Sequence, residues 1–403
     1  MTRVSSDFWR GVSPRWPLVK LGELSSDESA FADGPFGSNL KTEHYRPSGA
    51  RVVRLQNIGS GSFLDDDKVY IALDHFKRLQ RHSVRPSDIV VAALGSGARP
   101  AGRSAMIPDG FGLGIVKADC FRVRLPNTSV YAPFLLQLMN SWPFLRQVAM
   151  KMRGATRPRM TLRILRELVI PLPTLPEQER IAATLRAQMD SVDHLRVSAE
   201  SSRGELAGVE FALLRDSLSG SVRSMRLKTC LSEVNNGVGS DWGEYPVLGA
   251  TRAGLSPAKE SVGKNPTRYK LVDSGTVFYN PMRILLGSIA MVDEGDPVGI
   301  TSPDYVVFKC IPDVLHYRWF YYWLRSPLGE RFIKGLTRGA VRERLLFRRL
   351  AEATIELPSI AEQRRAAENL SWIRRAREKV TAQITAIEAL PAAYLHRAFS
   401  GSV

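Results

Sequence analysis

An internal repeat displaced by 185 residues limits this chain more than any other feature. Leu172-Pro173-Thr174-Leu175-Pro176-Glu177-Gln178-Glu179-Arg180 returns as Leu357-Pro358-Ser359-Ile360-Ala361-Glu362-Gln363-Arg364-Arg365. Gly154-Ala155-Thr156-Arg157 returns as Gly339-Ala340-Val341-Arg342 at the same displacement, and Ser104-Ala105-Met106 as Ile289-Ala290-Met291. The halves also close alike, on Ser219-Gly220-Ser221-Val222 and Ser400-Gly401-Ser402-Val403. A period this long is a duplicated domain with a duplicated linker, not a solenoid unit. Two copies of one module imply a pseudo-two-fold molecule that reads a two-part target.

The 403 residues suffice for two to three domains, each with its own core. Charge is the unusual property: 56 Lys+Arg against 40 Asp+Glu leaves +16. Such an excess favours a polyanion, because each neutralised phosphate releases condensed counterions. Cys120, Cys230 and Cys310 are far apart and lack CxxC or Cys/His clustering, so neither a disulfide framework nor a zinc site is indicated. No stretch approaches the 18 or so apolar residues of a membrane span, and Met1–Asp7 carries no apolar signal segment. A soluble cytoplasmic protein is expected, with no membrane partner.

Residues 1–16 read as a loosely held lead-in, 17–170 as a first module and 223–356 as a second. Strands are expected at Ala50–Leu55, Asp88–Leu94 and Cys120–Leu125, and in the second module at Thr276–Tyr279 and Tyr305–Phe308. Alternation puts Phe121, Val123 and Leu125 on one face, with Arg122 and Arg124 opposite. Tyr131–Met139 and Leu315–Leu324 read as matching helices, Pro133 being tolerated in a first turn. The six aromatics of the second helix recur at helical spacing and are expected in a core. Asp65-Asp66-Asp67 reads as a solvated turn.

The linkers, 171–222 and 357–403, differ in kind. No proline falls between Glu177 and Leu218, and apolar residues recur by heptads at Leu185, Val192, Ala199, Leu206 and Leu213, accompanied by Ile181, Leu195 and Val209. The second linker repeats this at Ala366, Ile373, Val380, Ile387 and Tyr394, beside Leu370 and Ile384. Each predicts a coiled-coil-like helix of about 40 residues, roughly 60 Å long. An amphipathic helix of that length needs its seam covered, and the other copy is the nearest partner. Leu185, Val192, Leu206 and Leu213 are therefore expected to pair with Ile373, Val380 and Ile387. Pro391 is expected to end or kink the second helix near Ala389. The fold class is α+β: two homologous mixed α/β domains separated by two long antiparallel helices.

Module, long helix, module, long helix with matched ends resembles the specificity subunits of type I restriction–modification systems, the HsdS family. The Leu-Pro-x-x-x-Glu-Gln openings at Leu172–Gln178 and Leu357–Gln363 carry the likeness, with the endings Leu218-Ser219-Gly220 and Phe399-Ser400-Gly401. Gly154-Ala155-Thr156 and Gly34-Pro35-Phe36-Gly37-Ser38 add to it. The second module has no counterpart of Gly34–Ser38, only the looser Asn235–Ser240. The resemblance covers the chain from Trp16 onward. It implies that the modules are target-recognition domains, each reading half of a bipartite site in double-stranded DNA. It further implies that the helices space them and dock two methyltransferase subunits. Restriction subunits join when cleavage occurs. S-adenosylmethionine, ATP and magnesium are then expected on those partners, and no cofactor on this chain.

For DNA binding the basic loops are the candidates: Lys151, Arg153, Arg157 and Arg159 in the first module, and Lys334, Arg338, Arg342 and Arg344 in the second. Arginine's planar fork matches guanine O6 and N7 and also binds phosphate. Arg99, Arg103 and Arg283 are second-tier candidates. Catalytic signals are absent. There is no phosphate-binding loop of the Gly-x-x-x-x-Gly-Lys-Ser/Thr type, and the six histidines show no metal-ligand spacing. Tyr279-Asn280-Pro281-Met282 lacks the second proline and the stacking aromatic of an adenine methyltransferase motif, and reads as a strand-to-loop turn. A non-catalytic recognition subunit is the reading. The alternatives are a subunit serving a fused methyltransferase-nuclease, a self-contained enzyme, or a basic protein-protein adaptor.

Overall fold

In a computed structural model of the protein, residues 7–9, 16–96, 99–126, 129–152, 159–258, 262–337 and 344–400 are described. The chain divides into two compact units, Met1–Val197 with Thr385–Val403, and Ser198–Ile384.

The first unit contains β1 (Leu18–Lys20), β2 (Phe31–Asp33), β3 (Tyr45–Arg46), β4 (Ala50–Val53) and β5 (Tyr70–Ile71). A short helix α1 (Leu73–Arg78) precedes β6 (Ser83–Val84), β7 (Ile89–Ala92), β8 (Ser104–Met106), β9 (Gly114–Val116) and β10 (Cys120–Val123). Helices α2 (Ala132–Met139), α3 (Trp142–Lys151) and α4 (Leu162–Arg166) lead to β11 (Val169–Pro171) and into α5 (Leu175–Ser217). The antiparallel sheet β2-β10-β7-β8 is covered on both faces. Period-two alternation sends Ile89, Val91, Phe121 and Val123 into a core with Phe134, Leu138 and Phe144 of the helices. Val90, Ala92, Ala105 and Cys120 point the other way, toward Val53 and Val116 of a second sheet, β3-β5-β4-β9-β6.

Arg122 and Arg124 lie opposite Phe121 and Val123, as alternation predicts, and face that second layer. Their face is roofed, not wet: Arg122 is buried and donates to the Ser29 and Ser83 carbonyls, and Arg124 pairs with buried Asp88. Asp65-Asp66-Asp67 is likewise more than a solvated turn, because Asp65 pairs with Arg51, and Asp67 with Arg54. Nor is the lead-in loose throughout. Trp9 is buried and its indole N–H donates to the Val169 carbonyl at 2.8 Å.

The second unit repeats the scaffold with β12 (Val222–Arg226), β13 (Leu231–Glu233), β14 (Leu248–Thr251), β15 (Gly254–Pro257), β16 (Lys270–Val272), β17 (Thr276–Tyr279), β18 (Ile289–Met291), β19 (Gly299–Thr301) and β20 (Val306–Cys310). Helices α6 (Tyr317–Arg325), α7 (Pro327–Thr337) and α8 (Phe347–Ala351) lead to β21 (Thr354–Pro358) and α9 (Ile360–Ser400). Sheet order β13-β20-β17-β18 matches β2-β10-β7-β8, and the β12-β21 ribbon matches β1-β11. The outer layers differ: a β14-β15 hairpin and a β16-β19 ribbon stand where the first unit has five strands. Every residue of α6 from Trp319 to Leu324 is buried, so its aromatics are core, as their spacing predicts.

The long helices, 43 and 41 residues, contribute to both units. In the first, Ile181, Ala182 and Leu185 near the start of α5 share a core with Phe399 at the end of α9. In the second, Leu214 at the end of α5 shares a core with Ala366, Ala367 and Leu370 near the start of α9. The beginning of one helix thus meets the end of the other in each core, which is an antiparallel pairing. Arg377 adds a 2.7 Å ion pair to Glu210 across the helices.

The covered stripe is narrower than the heptad pattern suggests. Leu185, Val192 and Ile384 are buried, and Leu206, Leu213, Ile373, Val380 and Ile387 half-buried. Leu195 and Val209, expected on the seam, are exposed on its open flank. A straight helix drifts by about 20° per heptad, so a seven-residue repeat cannot hold every position under one partner. Pro391 neither ends nor splits α9. An interior proline costs about 3 kcal/mol. Beyond it, Phe399 is fully buried, and Tyr394, Leu395 and Ala398 pack on the same core. At about 1.5–3 kcal/mol per large buried apolar side chain, continuing the helix is favourable.

A buried ion cluster fastens α9 to the second unit's sheet. Asp293 accepts from Arg318 Nε at 2.6 Å, the Tyr317 hydroxyl at 2.9 Å and Arg374 at 3.2 Å, while Arg374 also grips Asp296 at 2.8 Å. Burial raises the Asp293 pKa, yet the hydrogen bonds from Arg318, the Glu294 amide and Tyr317 outweigh it and hold the carboxyl below its ordinary value. A depressed carboxyl contributes stability above its unfolded pKa, near 3.9, and loses it as pH falls through the folded value. Wild type should therefore lose stability relative to Asp293→Asn on acidification below about pH 4. Denaturant titrations of both proteins across that window check it; a difference that stays constant with pH would count against the cluster.

Candidate nucleic-acid interface

The same loop mouth is built in both units. The Met160 N–H donates to the Ala93 carbonyl at 2.9 Å, and the Leu345 N–H to the Pro281 carbonyl at 3.1 Å. Met160 and Leu345 stand 185 residues apart, and both side chains are fully buried. Each anchor holds the end of a basic segment beside the carboxyl end of the equivalent strand, β7 or β17. A second matched contact braces the mouth with different chemistry. Asn140 donates to the Ser104 carbonyl at 3.1 Å, and at the equivalent place Arg325 donates to the Ile289 carbonyl at 2.8 Å.

Arg159 stands directly before the first anchor. Its guanidinium donates to the Ala118 carbonyl at 2.7 Å, pairs with Asp119 at 3.2 Å, and lies 4.8 Å from the ring centroid of Phe36. Arg344, its counterpart at the same displacement, is exposed, as are Lys151, Arg99 and Arg283. Lys334 is exposed on α7 and pairs with Glu330 one turn earlier at 2.7 Å. Arg153, Arg157, Arg338 and Arg342 lie outside the described residues. Arg103 is a correction. It is 4% exposed, and its fork is committed to the carbonyls of Ile58, Leu94, Pro100 and Leu55. Burial, with Arg99 nearby, lowers its pKa. It fastens loops together and offers nothing to a phosphate.

Sequence reasoning passed over Phe36, Met282 and Leu286, which stand exposed at these mouths. The readable signal was glycine. A Cβ on Gly34 would lie 2.0 Å from the Lys117 carbonyl carbon, and Gly37 has φ +60°. Only glycine allows that close approach and turn, which turns Phe36 outward. Gly287, at φ +80°, closes the turn after Leu286.

The duplicated Glu-Gln opening fixes each module on its long helix. Gln178 accepts from the Tyr131 N–H at 2.8 Å and donates to the Ser129 and Pro173 carbonyls at 3.1 and 2.9 Å. Gln363 accepts from the His316 N–H at 2.8 Å and donates to the Val314 and Pro358 carbonyls at 3.2 and 3.0 Å. Every partner is displaced by 185 residues. Both glutamines are buried, so the motif is a clamp between the start of α2 or α6 and the long helix that ends the module.

Among the described residues no three His, Cys, Asp or Glu side chains are grouped to hold a metal ion, and no helix is long and apolar enough to cross a membrane. Two homologous α/β units, each with a basic loop mouth and each sharing its core with both long helices, repeat one architecture within the chain. The comparisons agree. The chain matches no protein-family model. It is 21% identical over 212 residues to the type I restriction enzyme MjaVIII specificity subunit of Methanocaldococcus jannaschii, covering 53% of this chain and 47% of that protein. It is 23% identical over 298 residues to the EcoKI specificity subunit of Escherichia coli K12, covering 67% and 62%. The chain thus spans about half to three-fifths of these curated relatives. Among solved structures, a chain from work on assembly and conformational transition of the type I R-M system superposes with TM-score 0.65 at 19% identity, covering 97% of this chain and 99% of that one. The HsdS subunit of Thermoanaerobacter tengcongensis gives TM-score 0.52 at 19% identity, covering 97% and 98%. By sequence and fold together, the chain resembles type I restriction enzyme specificity subunits, and its fold is that of an HsdS subunit.

Proposed function

We propose that this protein is the sequence-specificity subunit of a type I restriction–modification complex, non-catalytic itself, that reads a bipartite site in double-stranded DNA. The observation that carries the reading is the repeated loop mouth, with Arg159 and Arg344 at equivalent places in two modules whose outer layers differ. Equivalent scaffolds supply a common way of meeting the duplex, and different outer layers supply two different half-sites. The modules span 17–170 and 223–356, and the spacer helices occupy 171–222 and 357–403. Two methyltransferase subunits dock on the helices, and restriction subunits join the assembly for cleavage. S-adenosylmethionine, ATP and magnesium belong to those partners. The complex works in the cytoplasm, where the DNA is. Lys151, Arg99, Arg159, Arg283, Lys334 and Arg344 are the described cations proposed to face DNA, joined by Arg153, Arg157, Arg338 and Arg342.

The test is methylation mapping of the host genome with and without the gene. A split motif that loses its adenine methylation with the gene supports the reading; an unchanged methylome refutes it. Arg344→Ala in the purified complex should weaken binding and lower the steepness of log affinity against log salt by about 1, as one lost phosphate contact does. A salt series on plain duplex checks this, and an unchanged slope removes Arg344 from the phosphate contacts.

A further inference from the structure

We propose that each module reads its half-site with an exposed apolar side chain set beside an arginine: Phe36 with Arg159 in the first, Met282 and Leu286 with Arg283 in the second. The inference rests on the DNA-recognition reading above and names the side chains that discriminate sequence. A single exposed apolar residue is ordinary on a protein surface. These three are unusual in being held out by built turns at the two matched mouths. Phe36 is 45% exposed, Met282 60% and Leu286 70%. Gly34 and Gly37 fix the Phe36 turn, whose backbone approaches Lys117 too closely for any side chain on Gly34. In the second module the Asn280 carboxamide accepts from the Met282 N–H at 3.0 Å, and the Gly287 N–H closes on the Ile284 carbonyl at 2.9 Å. Pro281, between them in sequence, carries the carbonyl that anchors Leu345.

Arg159 is preorganised, its guanidinium fixed by the Ala118 carbonyl and Asp119 and laid on the Phe36 ring. Arg283 has no side-chain hydrogen bond or ion pair among the described residues and is exposed between Met282 and Leu286. Such a pair suits duplex DNA. The guanidinium meets phosphate or guanine O6 and N7, and the apolar group meets a thymine methyl or the face of a base step. Because the apolar groups are neutral, they contribute sequence preference without counterion release. Phenylalanine in one module and methionine with leucine in the other also gives the two heads different shapes, as two different half-sites require.

The experiment uses the full chain assembled with its modification subunits, and duplexes bearing the split motif that the wild-type methylome defines. Phe36→Ala should weaken binding by roughly tenfold and relax base preference in one half-site only, with the salt slope unchanged. Leu286→Ala should do the same in the other half-site. Unchanged affinity and preference, or equal loss at both half-sites, overturns the inference. Both side chains are exposed, so melting temperatures should match wild type. If Phe36→Ala melts early, Phe36→Leu decides instead: with the fold kept, an altered half-site preference supports the inference and an unaltered one overturns it. A wild-type complex that methylates no split motif defeats the functional reading. A wild type that does so, with variants that behave identically, defeats only this inference.

Discussion

Gln363→Ala should destabilise the second unit by about 3 kcal/mol or more, although it removes one uncharged side chain. The buried carboxamide holds three backbone groups: the His316 N–H and the carbonyls of Val314 and Pro358. Water cannot replace it without entering a closed site, and an unsatisfied buried polar group costs about 1–3 kcal/mol. Gln363→Leu, which preserves volume, should cost nearly as much, because the loss is of hydrogen bonds rather than packing. Gln178→Ala should repeat the effect in the first unit through Tyr131, Ser129 and Pro173. Denaturant unfolding gives the magnitude, and hydrogen exchange gives the place: the His316 amide should exchange faster in one variant, the Tyr131 amide in the other. A loss under 1 kcal/mol with both amides still protected would mean that the clamp is incidental to the motif.

How far the sequence revealed this architecture varied with the kind of interaction. The repeat, the strands at Ile89–Ala92 and Cys120–Val123, the aromatic helix Tyr317–Arg325 and the two long helices all write their periodicity directly into the order of apolar residues. What escaped notice was set by contacts that periodicity does not record. Arg103 and Arg122 look like surface cations until carbonyls distant in sequence close around them. Pro391 looks like a helix end until the Phe399 core beyond it is weighed against one lost hydrogen bond. Leu195 and Val209 fit the heptad but not the geometry of a straight helix. At the candidate interface the arginines were legible as charge. Phe36 and Leu286 were not, because the signal lies in the glycines that turn them outward. The Asn140–Arg325 substitution at one structural position shows how the two copies have kept a contact while changing its chemistry.

Shortening the long helices should move the two half-sites closer together. Four residues advance a helix by about 6 Å and turn it by about 400°, only about 40° beyond a full turn, so the apolar stripe stays near its partner. Removing Arg203–Leu206 from α5 takes out three exposed residues and one half-buried one. Removing Thr381–Ile384 from α9 as well keeps the two helices matched, though it deletes buried Ile384. At about 3.4 Å per base pair, the paired deletion should shorten the preferred gap by about 2 base pairs, while each half-site keeps its sequence. Removing two residues from each helix instead turns the stripe by about 200° and should abolish assembly. Methylation mapping reads the outcome directly, because only the gap between two unchanged half-motifs alters. A full-length gap in a correctly assembled four-residue variant would mean that something other than helix length sets the distance between the two reading heads.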